Sequence, residues 1–314
     1  MAMTLSIKAI LVSFVVLALV VDSTWASLAS FDIDGPAYLL VGAAAAACAT
    51  GSLFYGSFRR DEKLHAMLFG TFFLIAFAAS FGVLNYLLLT VAGPRIDQEL
   101  ASIDRMLGID WPALLRFAEQ HPTANLLLFL VYASSLAQTA VLVNALGLCG
   151  RPNDIYAFCL SLAIGAAVTI GIWTVAPSFG AFTVYPIGSS PPVPLMADAA
   201  YARDLLELAA NGPGRISPLE VKGLVAFPSF HTVLALLIAW YAWPLKWLRW
   251  PAIGLNALVI LSIPIQGGHH IIDIAGGFVV AVFAIAVTSW ASRHILSRRH
   301  SVPVRVPEPA GETA

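Results

Sequence analysis

Charge is the first thing this chain lacks. Lys, Arg, Asp and Glu together make up 11% of its 314 residues, against about 25% in an average soluble domain. Hydrophobic residues reach 59%, with a mean hydropathy of +0.82, so the chain reads as an integral membrane protein. Neither sign of charge dominates. The formal net charge is -1, the isoelectric point is near 6.6, and no basic tract or stripe precedes a short Arg-rich tail, which argues against a nucleic-acid partner. Cysteine is equally sparse: Cys48, Cys149 and Cys159 stand in or beside apolar runs at no metal-like spacing and read as packing residues.

What the chain has in place of charge is long apolar runs. About eight read as helical spans, near residues 9–28, 37–58, 67–92, 125–148, 155–177, 228–244, 251–266 and 271–291. At about 1.5 Å per residue such runs can just cross a bilayer core of roughly 30 Å. The expected fold class is therefore an all-α, polytopic membrane helix bundle. For the first run a cleaved signal peptide competes with a retained anchor, because Thr24-Trp25-Ala26 could pass for a cleavage site; the anchor is favoured. Asp22, Asn85 and Asn144, polar residues within apolar runs, are expected to hydrogen-bond neighbouring helices.

Between spans, residues 93–123 are mixed. Asp110 can cap a helix whose first turn accepts Pro112, and Leu114, Leu115 and Phe117 alternate with Arg116 and Glu119 as in a short helix lying at the interface. Residues 178–226 form the longest polar segment and begin rich in Pro, Gly and Ser. At that length they read as a lid or a site-lining loop rather than a bare connector. From Ser292 the tail, with Arg293, Arg298, Arg299 and Arg305 among prolines, reads as disordered.

Basic residues set the orientation. Lys8, Arg59, Arg60, Lys63, Arg151, Lys246, Arg249 and the tail arginines fall in short loops and tails on one side, whereas Arg95, Arg105, Arg116, Arg203, Arg215 and Lys222 are spread over long loops on the other. Both termini are thus expected in the cytoplasm. That places the chain in the inner, cytoplasmic membrane with residues 178–226 facing the periplasm or outside.

Two histidine clusters stand at the ends of one apolar hairpin on that outer side, Phe227-Pro228-Ser229-Phe230-His231-Thr232 and Gly267-Gly268-His269-His270-Ile271-Ile272-Asp273. His269 and Asp273 are four apart and share a helix face if the last span starts near Gly268, so the carboxylate can fix the imidazole tautomer and leave the other nitrogen a better base or nucleophile. Gly267 and Gly268 allow an abrupt turn and the close approach of a ligand to the backbone. Pro228 can occupy the first turn of the sixth span, which makes the helix start near Ser229 a ready anion site and lets His231 donate a proton to a leaving group. His270 points about 100° away from His269 and is given no catalytic role.

These residues resemble a known family. Pro228-Ser229-Phe230-His231 is similar to the second signature of the type 2 phosphatidic acid phosphatase superfamily, usually Pro-Ser-Gly-His. Ser262, His269 and Asp273 are similar to its third, Ser-Arg, five residues, His, three residues, Asp. The Phe-Pro-Ser-Phe-His form resembles the branch that includes the inositol phosphorylceramide synthases. The Asp110-Trp111-Pro112 segment and residues 132–138 also look like bacterial members. The resemblance implies a phosphohistidine on His269, with Asp273 orienting it, His231 as general acid and Ser229 as a phosphate ligand. It implies no metal or other cofactor.

The chain departs from the pattern where the phosphate needs positive charge. Ile263 stands where the third signature has arginine, and the first signature, Lys, six residues, Arg-Pro, is absent in recognisable form. Arg203, Arg215 and Lys222 are the candidates to supply the missing charge, with Ser262, Gly268 and Gln266 as further phosphate-binding residues. On this reading residues 1–123 hold the first spans and the interfacial helix, 124–294 the phosphatase-like core and 295–314 the tail. The expected function is hydrolysis of a lipid phosphate or diphosphate at the outer membrane face, with membrane lipids as the other partners. The alternatives are transfer of a phospho-head group to an alcohol, as in the synthases, and a non-catalytic lipid transporter or binding protein.

Overall fold

A computed structural model describes residues 2–185, 193–212 and 214–300. Its twelve α-helices among the described residues are α1 (Ala2–Ala29), α2 (Gly35–Phe54), α3 (Glu62–Leu88), α4 (Asp97–Met106), α5 (Trp111–Gln120), α6 (Pro122–Ala133), α7 (Ser135–Leu148), α8 (Pro152–Val175), α9 (Ala199–Asn211), α10 (Phe230–Ala242), α11 (Arg249–Gln266) and α12 (Ile271–His300). A two-residue parallel pair, β1 (Asp32–Ile33) with β2 (Arg215–Ile216), is the one sheet among these residues. The architecture is an all-α bundle.

Local chemistry starts the helices where the sequence suggests. The Asp34 side chain accepts from Ala37 N ahead of α2, Asp61 accepts from Lys63 N and Leu64 N ahead of α3, and Asp110 accepts from Ala113 N ahead of α5, whose first turn holds Pro112. Each cap satisfies amide donors that have no partner inside the helix. Between α7 and α8 the chain turns at Gly150, whose φ of +68° is in the left-handed region.

The core is arranged around α8, which touches α1, α3, α7, α10 and α12. Phe73, Phe77 and Phe81 of α3, Tyr156 and Phe158 of α8, and Val233, Leu234 and Leu237 of α10 are buried together. A second apolar cluster, with Trp111, Trp173, Phe179, Phe182, Leu205 and Ile216, lies under the segments that follow α3 and α8. The bundle therefore has two unlike ends. At one, Lys8 Nζ reaches His65 Nε2 at 2.9 Å and Lys63 Nζ donates to Leu148 O. At the other, about 32 Å along α3 from His65, the Tyr86 hydroxyl accepts from Lys222 N.

Each expected span has a helix, but the count of eight is not met on length and composition. Among the described residues, five helices are long and apolar enough to cross a membrane, or six if α6 and α7 form one span. The helix α10 has 13 residues, about 20 Å, which is short of a bilayer core. The fourth span is broken by a 50° bend between α6 and α7. The cause is local: Ser134 Oγ donates to Val131 O and Ser135 Oγ to Tyr132 O, each at 2.7 Å, and serine back-bonding of this kind bends helices. Where one interfacial helix was expected, residues 93–123 form two, α4 and α5. The long polar segment contains α9, and its Pro/Gly/Ser-rich part, 186–192, lies outside the described residues.

Helix α12 continues past Ser292 to His300, and the rest of the tail, 301–314, lies outside the described residues. Asn144 donates to Ala140 O of its own helix rather than to a neighbour. Both carboxylate oxygens of Asp22 and the side-chain oxygen of Asn85 are buried without a hydrogen bond among the described residues. Cys149 is exposed, so of the three cysteines only Cys159 is fully buried in the core.

Close approach of α12 to the start of α10 depends on glycine. A Cβ on Gly277 would fall 2.4 Å from Ser229 O and 2.7 Å from Thr232 Cβ. Gly277→Val is expected to force the helices apart and cost about 1–3 kcal/mol, seen as a lowered Tm in detergent; an unchanged Tm would show that this contact yields freely.

Candidate active site

The two histidine clusters meet at one cavity of about 190 Å³, lined by Tyr132, Phe179, Phe182, Met196, Ala197, Tyr201, Gly223, Val225, Ala226, His231, Gln266, Gly267 and His269. Residues 178–226 supply most of that wall, as the site-lining reading of the segment requires. The end of α6, the start of α10, the end of α11 and the loop from α11 to α12 supply the rest.

His269 is 4% exposed and its Nδ1 lies 3.1 Å from Asp273 Oδ2. With the proton on Nδ1 shared in that bond, Nε2 keeps its lone pair. The same Asp273 oxygen accepts from His270 N at 2.9 Å, and the Asp273 carbonyl accepts from Ser229 N at 2.9 Å. One residue thus fixes both clusters. Burial pushes the His269 pKa down to about 4, against a backbone hydrogen bond to Ala226 that acts the other way. At neutral pH the ring is an uncharged imidazole.

The loop before His269 is tightly built. Gly268 has φ +62° and a Cβ there would lie 2.0 Å from Phe182 Cδ1. A Cβ on Gly267 would fall 2.5 Å from His269 Cδ2 and 2.7 Å from the Tyr132 hydroxyl. Glycine at these positions keeps open the space beside His269.

Ser229 is the N-cap of α10, its Oγ accepting from Thr232 N at 3.4 Å across from the cis Phe227–Pro228 bond. It is fully buried and is not part of the cavity wall. His231, two residues into the helix, does line the cavity. Its ring stacks on Tyr132 with centroids 4.3 Å apart, and its Nδ1 lies 3.1 Å from the Tyr132 hydroxyl.

The cations expected from the loop are placed elsewhere. Arg215 lies on β2 and pairs with Asp34 at 3.0 Å and Asp32 at 3.7 Å. Lys222 pairs with Asp204, and Arg203 is exposed on α9. Each sits beside an acidic or solvent-facing surface that holds its charge, and none lines the cavity. Ser262 is buried within α11, donating to Val259 O at 2.6 Å. Gln266 does line the cavity, but its Nε2 donates to Asn125 Oδ1 at 2.7 Å and its Oε1 accepts from Met196 N, so it clasps the wall together. Tyr201, pushed up to about 12 by burial, is a neutral phenol that donates to Gly223 O and accepts from Gly223 N.

Two residues on α4 escaped sequence reasoning. Asp104, 1% exposed, accepts from Ile271 N at 3.0 Å and Ile272 N at 3.3 Å and lies 3.3 Å from His270 Nδ1. Asp97, 2% exposed, accepts from the Ser178 hydroxyl, Phe179 N and Gly180 N and pairs with Arg95. Capping residues normally precede their helix by a few positions; Asp104 caps α12 from a distance of more than 160 residues, which no local pattern signals.

The fold and site define a helical membrane protein with a histidine pair and a buried carboxylate at one end of its bundle. A scan against protein families matches residues 98–287 to the PAP2 superfamily, and the chain belongs to that superfamily. The match begins inside α4 and so takes in Asp104, upstream of residue 124 where the core was expected to start. No curated protein and no solved structure matches the chain. Membership supports an activity of the phosphatase or phosphotransferase type.

Asp104→Ala removes the acceptor of two amides at the start of α12. The expected loss is about 1–2 kcal/mol, read as a lower Tm in detergent. An unaltered Tm would mean that the start of α12 is held by other groups.

Proposed function

We propose that this protein removes or transfers a phosphoryl group of a lipid phosphate through a covalent intermediate on His269, at the outer face of the membrane. The observation that carries the reading is the neutral His269, oriented by Asp273 and sharing one cavity with His231, within the span that matches the superfamily. Nε2 of His269 attacks phosphorus as the bond to the leaving oxygen breaks, and His231 gives that oxygen a proton. Water then attacks the phosphohistidine, with His231 taking its proton, and phosphate leaves. Ser229 contributes through the α10 start that it caps, where the helix dipole favours an anion. The catalytic unit is residues 124–294 together with α4 and α5, whose side chains tie down its loops. The outer-face assignment rests on the basic residues in short loops at the end remote from the cavity.

Hydrolysis is the leading reading. One observation favours transfer to an alcohol: no Lys or Arg lines the cavity among the described residues, and residues 186–192 and 213 contain none either. A phosphomonoester carries close to two negative charges at neutral pH, and a diphosphate more, whereas a phosphodiester carries one. A neutral cavity suits the singly charged group, the form in which a phospholipid donates its head group.

Purified protein in detergent with a metal chelator is expected to release inorganic phosphate from phosphatidic acid, phosphatidylglycerol phosphate or undecaprenyl diphosphate, and His269→Ala to reduce the rate by roughly 10³-fold. Consumption of a phosphodiester lipid with an added alcohol, without phosphate release, assigns the transferase. Full activity of His269→Ala in either assay would overturn the mechanism. The pH dependence follows from the lowered pKa: His269 is neutral above about pH 5 and protonates as pH falls through about 4. Its acid limb in kcat/KM is therefore expected well below the usual imidazole value of about 6.5; a limb at that value would contradict the assignment.

A further inference from the structure

The far end of the α10–α11 hairpin, away from the histidines, is crowded with aromatic rings that the proposed reaction does not use. Four of the eight tryptophans of the chain stand between positions 240 and 250, at Trp240, Trp243, Trp247 and Trp250. Each is more than half exposed. Leu245, in the middle of the stretch, is buried in the core, so the turn itself is fixed while the indoles face outward.

Arg249 opens α11 with its guanidinium carbon 5.6 Å from the ring centroids of both Trp243 and Trp250, which themselves meet edge to face at 5.8 Å. Its Nε is buried without a hydrogen bond among the described residues. Neither Arg249 nor Lys246 has an acidic partner among those residues, and the sequence holds no Asp or Glu between Glu220 and Asp273. A guanidinium set against two indoles keeps its charge, is fixed in orientation and leaves its edge donors free. That presentation suits a phosphate.

The depth of the turn in the bilayer decides what supplies that phosphate. The Tyr241 hydroxyl lies 2.8 Å from Ser161 Oγ, which in turn donates to the Thr288 hydroxyl at 2.9 Å. Ser161 lies about 14 Å along α8 from the helix start at Pro152, so Tyr241 is held inside the bundle and the residues after it fall near its edge. Tryptophan concentrates at that level of a membrane. A cation placed there without an acidic side chain draws its counter-ion from the lipids around it, as basic groups at the ends of spans do with anionic head groups.

We propose that Arg249, set by Trp243 and Trp250 and assisted by Lys246, binds the phosphate of an anionic membrane lipid in the leaflet away from the histidine cavity. The site does not depend on the phosphohistidine reading. It has a use in the fold, because α10, about 20 Å long, is shorter than a bilayer core and carries His231 near its other end. A head group clasped at the turn brings the leaflet to the short helix and fixes the depth at which that helix sits.

Native mass spectrometry of the full chain, released from detergent with phosphatidylglycerol or phosphatidylcholine added, reads the first lipid bound. The wild type is expected to bind phosphatidylglycerol roughly tenfold more tightly than phosphatidylcholine. Arg249→Gln is expected to reduce that preference to within about twofold, and Arg249→Lys to leave an intermediate one, because an ammonium lacks the planar fork and its hold on the indoles. Arg59→Gln, which removes a cation at the same end but outside the tryptophan cluster, is expected to keep the preference. A wild type without preference, or equal loss in Arg59→Gln and Arg249→Gln, overturns the proposal. Full competition by soluble glycerol phosphate overturns it too, since the ligand would then be a free phosphate ester and not a lipid. Arg249→Lys keeps the charge and so decides the matter even if Arg249→Gln fails to fold: a preference equal to that of the wild type contradicts the role given to the guanidinium.

Discussion

A carboxylate with no solvent exposure is stable inside a protein only if donors are brought to it, because burial removes the water that would otherwise hold its charge. Asp273 meets that demand at Oδ2, with His269 Nδ1 and His270 N, both from the loop before its own helix, whereas its Oδ1 is buried without a hydrogen bond among the described residues. Its carbonyl in turn takes Ser229 N from the neighbouring helix. The two histidine clusters are therefore not two features that happen to be close. They are the donors and the neighbour of one residue, and the Gly277 contact with Ser229 is the packing condition that lets α10 come near enough.

The second tier of the arrangement is α4. Its two buried aspartates accept backbone amides from the segment around Gly180 and from the start of α12. Irregular backbone at the end of a membrane bundle has many unpaired N–H groups, and leaving them so would cost several kcal/mol in apolar surroundings. Here the loops remain irregular, which a cavity wall needs, because side chains take the place of helical carbonyls. Asp97 and Arg95 hold one wall, Asp104 the base, and Asn125 with Gln266 another wall.

The parts of the site that the sequence made legible are those whose partners lie within one helical turn. His269 and Asp273 at four residues, the Pro228-Ser229 helix start, and the Asp110 cap followed by Pro112 are all of this kind. Helix existence was legible as well, since each apolar run became a helix. Span number was less so: hydropathy counts residues, but it does not register that hydroxyls at Ser134 and Ser135 compete for carbonyls and bend the chain. Long-range pairing was not legible at all. Arg215 and Lys222 were expected at the phosphate because they precede the site in sequence, yet Asp32, Asp34 and Asp204 claim them, and nothing local in the chain announces the β1–β2 pairing that brings Arg215 to Asp32.

The size and lining of the cavity limit what takes part in the proposed reaction. Pockets for whole drug-sized ligands run to about 300–1,000 Å³, and this one, at about 190 Å³, holds a phosphate and the atoms next to it but not a lipid. The hydrocarbon of a substrate must then lie outside the polar cavity, against the apolar surfaces of the helices, where any long chain is accommodated about equally. Discrimination falls on the phosphate's charge and on the group that leaves it. Those are the two properties that a wall with no Lys or Arg among the described residues and the histidine pair beside it can sense.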